Sequence, residues 1–299
     1  MSAIGFGPAI APGRAAMPVV PCFSFDGALP PGATLTRASV ATCYDAAGAL
    51  STVPADTPRF DHDPVTRTPR GLLVEGAATN LLTWSDGAIG QQSTVKQVVD
   101  AAGTLSGFAN AIRFATAGMQ GYVLKAYPTS AGKTYAFSAF VRCDDGQPPL
   151  PGTSNGAGCD FEVDFDGDVN LPQFLPSMPA GDGMWRFACR ASVSTPSNGL
   201  FGPVRQAGNS GRLFVVSGFQ LELGAVPSSY IPTAGVAAAR AADVLTLDWG
   251  RRGVADGPLV VRYMFDDGSM QEAAATVVGG EASVPTTLAR PWLRSATRA

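Results

Sequence analysis

Residues able to do chemistry are thinly spread along this chain, and the densest group is acidic. Asp160, Glu162, Asp164, Asp166 and Asp168 alternate with other residues, and Asp164-x-Asp166-Gly167-Asp168 has the flavour of a calcium loop. It lacks the twelve-residue spacing and closing Glu of an EF-hand, so a strand and turn are expected there. His62 is the only histidine. Ser-His-Asp and Cys-His mechanisms would both rest on it. It sits in a Pro-rich charged loop (Pro54 to Pro69) beside Asp61 and Asp63, which are its expected bonding partners. The five cysteines, Cys22, Cys43, Cys143, Cys159 and Cys189, include no CxxC pair. They are expected as buried free thiols of a reducing compartment, with neither zinc nor disulfides. No catalytic residue, metal or cofactor is expected, and the chain reads as a non-enzyme.

Two polar or aromatic sets remain. Gln220 and Glu222 should point to the face of a long strand opposite Phe219 and Leu221. With Glu75 and Asn80 they form a candidate structural polar cluster, Asn80 bonding backbone groups. Oxygen ligands there are also the type that calcium takes. Sugar sites stack rings on exposed aromatics with a few polar groups beside them. Tyr122, Tyr127 and Trp84 are the candidate carbohydrate platforms. Trp185 alternates with Arg186 and is expected in the core.

The elements that must position these residues are strands. Gly and Pro number 35 and 24 in 299 residues, and both disfavour helix interiors. Apolar residues make up 45% and charged residues 15%, enough for a sizeable core. The net charge is −3 with no basic block, so nucleic acid is not an expected partner. No apolar run reaches the ~18 residues of a membrane helix. The segment from Met1 to Val20 lacks the basic start and apolar run of a secretion signal, so assembly in a cytoplasm is expected.

Pro8, Pro12, Pro18, Pro21, Pro30 and Pro31 make residues 1–35 an extended arm, ordered by docking onto another surface or left as a loose terminus. Residues 36–85 hold short strands around turns, with Tyr44 to Gly48 as a hairpin corner and Gly71 to Gly76 as a buried strand. Residues 86–235 read as successive half-buried strands. Tyr135, Phe137, Ala139 and Val141 share one face, with Thr134, Ser138 and Arg142 on the other. Phe161, Val163 and Phe165 alternate with acids. Leu213, Val215, Phe219, Leu221 and Leu223 are assigned one face of a long strand. Ala234 to Ala242 suits one helical turn or a linker. Residues 236–299 form a small β-module, with hairpin turns at Asp266-Asp267-Gly268 and Gly279-Gly280. The fold class is all-β: an antiparallel sandwich with an extended N-terminal arm and a small C-terminal β-module.

Three stretches together are similar to a known family. They are Leu35-Thr36-Arg37-Ala38-Ser39 with Tyr44-Asp45 and Pro58 to Pro64; Gly71 to Leu82; and Gln220 to Gly224 with Pro227 to Thr233 and Arg240-Ala241-Ala242-Asp243. In this order, over residues 33–245, they resemble phage and prophage structural proteins of the tail-fibre, head-fibre or spike type. The resemblance implies a jelly-roll sandwich like those of carbohydrate-binding modules. It also implies a virion location, contacts with other virion proteins, and a homo-oligomer, with a trimer favoured. A role in attachment to host-surface polysaccharide follows from the same resemblance. The architectural alternative is a capsid decoration, fibre base or adaptor that binds no ligand. Surface-degrading spikes of such particles use long repeat scaffolds, and no repeat is present here.

Overall fold

A computed structural model describes residues 22–87, 101–114, 125–152, 158–165, 171–195, 200–204 and 210–299. The chain is all-β: the described residues form strands in several sheets, joined by turns, with one short 3-10 turn at Gly250–Arg252 and no α-helix. No described helix is long and apolar enough to cross a membrane.

The middle of the chain is a two-sheet sandwich. Its larger sheet runs in the order Gln173–Gly181, Met184–Ser192, Thr134–Cys143, Phe214–Leu223, Ala111–Phe114 and Ala101–Gly103, antiparallel throughout. The smaller sheet runs Lys125–Ala126, Leu200–Val204, Phe161–Phe165 and Pro151–Gly152; its last pair is parallel. Alternation explains the core between them. Tyr135, Phe137, Ala139 and Val141 point inward from one strand, and Phe161 and Val163 meet them from the other sheet. The Phe161 ring packs at a tilt against Phe187 and Phe214, with centroids 4.9 and 5.3 Å away.

The outer face of the same strand is less polar than alternation suggests. Phe140 is buried there against Phe108 and Tyr230, with ring centroids 4.9 and 5.7 Å away. Tyr44 and Leu50 complete this patch, so the Ala41–Tyr44 and Leu50–Val53 hairpin covers part of the sandwich. Trp185 is only half-buried, and its indole N–H donates to the Gly146 carbonyl.

The face assigned to Leu213, Val215 and Phe219 needs a correction. The core side chains are Phe214 and Val216, then Phe219 and Leu221, while Val215 packs on the outer face and Leu223 is exposed. The reason is a β-bulge. Ser138 pairs with Gln220 but Phe140 pairs with Ser217, leaving one extra residue on the Phe214–Leu223 strand. An inserted residue reverses the parity of everything after it. Gly218 accommodates it at φ +63°, and a Cβ there would lie 2.5 Å from Phe108 and 2.6 Å from Phe140.

The second core is built from both ends of the described chain. Its larger sheet runs Met270–Val277, Gly257–Phe265, Trp292–Arg298, Pro69–Leu73 and Phe60–His62, and Cys22–Ser24 also pairs with Trp292–Arg298. A three-stranded sheet adds Ala33–Thr36, Val244–Asp248 and Glu281–Ser283. Phe23, Phe25, Leu72, Leu245, Trp249 and Tyr263 are among the residues buried between them. The divisions at about 35 and 236 read from composition are therefore crossed by hydrogen-bonded sheets. Within the segment read as an arm, Cys22–Ser24 and Ala33–Thr36 are strands of this unit; residues 1–21 lie outside the described residues. Ala238–Arg240, given as a helical turn or linker, is a strand paired with Ala78–Asn80. Alanine carries no pattern that separates helix from strand, and pairing decided it. All five cysteines are free thiols, four of them buried.

The bulge gives a paired test. Gly132 also has a positive φ (+73°), but a Cβ there would meet nothing within 4 Å. Gly132→Ala should cost about 1–2 kcal/mol for the left-handed backbone alone. Gly218→Ala should cost about 1–3 kcal/mol more, because two buried rings must move. Urea denaturation of both variants measures the difference.

Candidate functional site

The junction between the two cores is held by charges. Arg37 follows the Ala33–Thr36 strand, Arg59 precedes Phe60–His62, Glu75 follows Pro69–Leu73, and Asp243 lies between Ala238–Arg240 and Val244–Asp248. Strand ends bring these residues together. Asp243 Oδ1 binds Arg37 at 3.0 Å and Asp243 Oδ2 binds Arg59 at 2.6 Å. Arg59 also reaches Glu75 Oε2 at 2.9 Å, and Arg240 lies 3.6 Å from the same oxygen. The side chains of Arg37, Arg59 and Asp243 have no exposed surface. The Glu75 N–H donates to Asp243, and the Asp243 N–H donates to the Glu75 carbonyl.

Burial opposes the charges of Glu75, Arg59 and Arg240. Burial pushes the Glu75 carboxyl up, but Arg240, Arg59 and hydrogen bonds from Ser229 outweigh it and hold Glu75 below its ordinary value. Burial likewise works against Arg59, yet Glu75 and Asp243 raise its pKa above the usual range. For Arg240 burial wins and the pKa is lowered. The Nε atoms of Arg59 and Arg240 are buried without a hydrogen-bond partner.

Glu75 and the strand-end polar residues form one continuous hydrogen-bonded belt. Asn80 is fully buried; its amide donates to the Phe219 and Ile231 carbonyls, and its oxygen accepts the Leu82 and Leu221 N–H groups. Gln220 donates to Glu222 at 2.7 Å and accepts from the Ile231 N–H at 2.6 Å. Glu222 accepts from the backbone and hydroxyl of Ser228, and Glu75 accepts from the backbone and hydroxyl of Ser229. Amide and carboxylate oxygens are thus occupied by protein donors. Among the described residues no cluster of three His, Cys, Asp or Glu is arranged to hold a metal ion.

Next to this belt lies a cavity of about 120 Å³ where the hairpin, the sandwich's outer face and the Trp292 strand converge. Tyr44, Phe140, Tyr230 and Trp292 supply aromatic wall, and Asp61, Glu75, Arg70 and Arg186 supply charge. Asp61 is buried, accepting the Tyr44 N–H and the Trp292 indole N–H, each at 2.6 Å. Burial raises its pKa despite those two donors. His62 Nδ1 lies 3.4 Å from the Tyr44 carbonyl, and the nearby Asp63 instead binds Arg70.

The aromatic candidates sit elsewhere. Trp84 is half-buried, bridged to Ala234 and packed beside Gly235. Tyr127 is half-buried against the sandwich core, 6.3 Å from the Tyr135 ring. Neither lines the cavity, and Tyr122 lies outside the described residues. In the acidic run, Asp160 is fully buried and anchors the loop before it, accepting from Leu150 N–H and Arg212. Glu162 is buried as well; Asp166 and Asp168 lie outside the described residues.

Of the salt-bridged residues only Glu75 stands out by type, as part of the polar cluster; Arg37, Arg59, Arg240 and Asp243 do not, since nothing local marks a lone charged residue as buried. Their signal was positional: Arg37, Arg59, Glu75, Arg240 and Asp243 all fall within the three motif stretches. No family model matches the chain, and no curated protein is similar to it.

Glu75 has a folded pKa below its unfolded one, so it contributes stability at neutral pH that is lost as pH falls through the folded value. Stability should decline below about pH 4.3. Glu75→Gln should be less stable at pH 7 and converge toward the parent in acid, as measured by thermal unfolding across pH. Asp243→Ala should cost about 3–5 kcal/mol, because it strands buried guanidinium groups. The loss reads directly from chemical denaturation at pH 7.

Proposed function

We propose that this chain is a structural subunit of a phage-type particle, of the fibre or spike kind, whose role is architecture and attachment to host-surface polysaccharide. What carries the reading is where the motif stretches fall. The residues behind the family resemblance are the same ones that make the buried ion network and the polar belt. Their use is to fasten two β-cores together, which suits a rigid scaffold better than a reaction centre. The carboxylates of the belt are each engaged by protein donors, which leaves no acid–base pair poised for proton transfer. A jelly-roll connectivity for the sandwich, a trimeric assembly and a virion location belong to this same reading.

Particles purified from cells that express the gene should carry the chain at fixed stoichiometry, measured by quantitative mass spectrometry of the density-gradient band. Purified protein should bind host cells and lose that binding after the surface polysaccharide is stripped enzymatically. Absence from the particle band overturns the structural role. Presence in the band without cell binding leaves the purely architectural version.

A further inference from the structure

The cavity beside the polar belt holds one cation with hydrogen-bond donors to spare. Four charged side chains line it. Glu75 is paired with Arg59, and Arg70 with Asp63 at 2.9 Å. Asp61 has both oxygens occupied by N–H donors. Arg186 differs. Its guanidinium donates to Ser138 Oγ through Nε and Nη2, at 3.3 and 2.9 Å, and to the Ser228 carbonyl through Nη1, at 2.8 Å. All those acceptors are neutral, and no described carboxylate lies within ion-pair distance of it. Three bonds also leave two of the five guanidinium N–H groups over. The group lies 5.4 Å over the Phe140 ring, so one face rests on hydrocarbon.

A half-buried cation held rigidly by serines, with donors to spare, is a preorganised carboxylate receptor. The cavity's size adds a second constraint. About 120 Å³ is less than the ~150 Å³ of a cavity that admits one benzene ring, so it has room for a carboxylate and the ring edge that bears it, not for a whole pyranose. Tyr44 and Tyr230 give it flat apolar walls, and the Tyr230 hydroxyl is already bonded to Ser85. Tyr44 and Tyr230 both have pKa values pushed up to about 12 by burial, so the walls stay neutral.

We propose that this cavity receives the carboxylate-bearing edge of a single acidic sugar unit of a polysaccharide, its carboxylate on Arg186 and that ring edge against Tyr44 and Tyr230. The polysaccharide source rests on the attachment reading above; the demand for a carboxylate on one ring rests on the cavity alone. Neutral hexoses lack the group that Arg186 requires and are expected to be excluded. Single-unit affinity should be weak, and an oligomer would multiply it.

The experiment is isothermal titration of the full chain with a glucuronic-acid-containing disaccharide and with its carboxyl-reduced, neutral counterpart. The acidic probe should bind and the neutral one should bind at least tenfold more weakly. Arg186→Gln should weaken the acidic probe by roughly tenfold or more, the loss of a charge-assisted hydrogen bond. Because Arg186 also tethers Ser138 and Ser228, a second variant leaves those bonds intact. Met178 lines the cavity and is 48% exposed, so Met178→Trp should fill the opening and abolish binding while the unfolding temperature holds. Equal binding of both probes, binding untouched by either variant, or no binding at millimolar concentration overturns the proposal. Cell adsorption by the Met178→Trp protein separates the two readings: if it still adsorbs, the cavity is not the site and attachment stands; if the parent itself fails to adsorb yet titrates with the acidic probe, the cavity stands and attachment falls.

Discussion

A carboxylate taken wholly out of water survives as an ion only where cations and N–H groups replace its hydration. Asp243 meets that condition through Arg37, Arg59 and the Glu75 N–H, and the rest of the molecule is arranged around meeting it. Each of the three partners arrives on a different strand end, and all three strands belong to the second core. A slip of one residue in any of them would withdraw a guanidinium from its oxygen. The network therefore fixes register at the place where the chain leaves one core for the other. Its net stabilisation need not be large: replacing such buried ions with well-packed apolar groups is often neutral. Its value lies in the penalty on alternatives, since every mis-docked arrangement leaves a charge stranded.

From Glu75 the constraint passes to the sandwich. Glu75 holds Ser229, the neighbouring Ser228 is held by Glu222, and Gln220 holds Ile231. Asn80 ties the Phe219 and Ile231 carbonyls from the other side. The loop from Ser228 to Thr233 is thus clamped along its length, and Tyr230 is delivered against Phe140. The same clamp places the Ser228 carbonyl where Arg186 finds it. An aromatic wall and a poised cation beside the cavity are consequences of how the two cores are joined.

The strands were legible wherever alternation was clean, as in Thr134–Cys143 and Phe161–Phe165. The opposition of Gln220 and Glu222 to Phe219 and Leu221 was legible for the same reason, because no irregularity separates those four residues. Legibility failed in two physical situations. Period-two reasoning cannot see a bulge, so Gly218 reversed the faces of Phe214 to Val216 relative to the assignment. Local reading also cannot see pairing across more than two hundred residues. Cys22–Ser24 has too little apolar surface to be a strand alone, and becomes one only against Ser295–Thr297. Buried arginines failed for a related reason: nothing local distinguishes Arg59 from a solvated arginine, and only its distant partners Asp243 and Glu75 do.

Gly218 joins these themes. Without the bulge, one parity would run the length of the Phe214–Leu223 strand. Phe214 and Val216 on the core face would then put Gln220 and Glu222 there too, among Phe137 and Phe187. Burying an amide and a carboxylate in that apolar layer without partners would cost several kcal/mol each. The extra residue instead turns Phe219 and Leu221 inward and releases Gln220 and Glu222 to the outer face. There they meet Ser228, Ile231 and the belt that leads to Asp243. A single left-handed glycine thereby allows one strand to serve an apolar core along its whole length and a polar junction at its end.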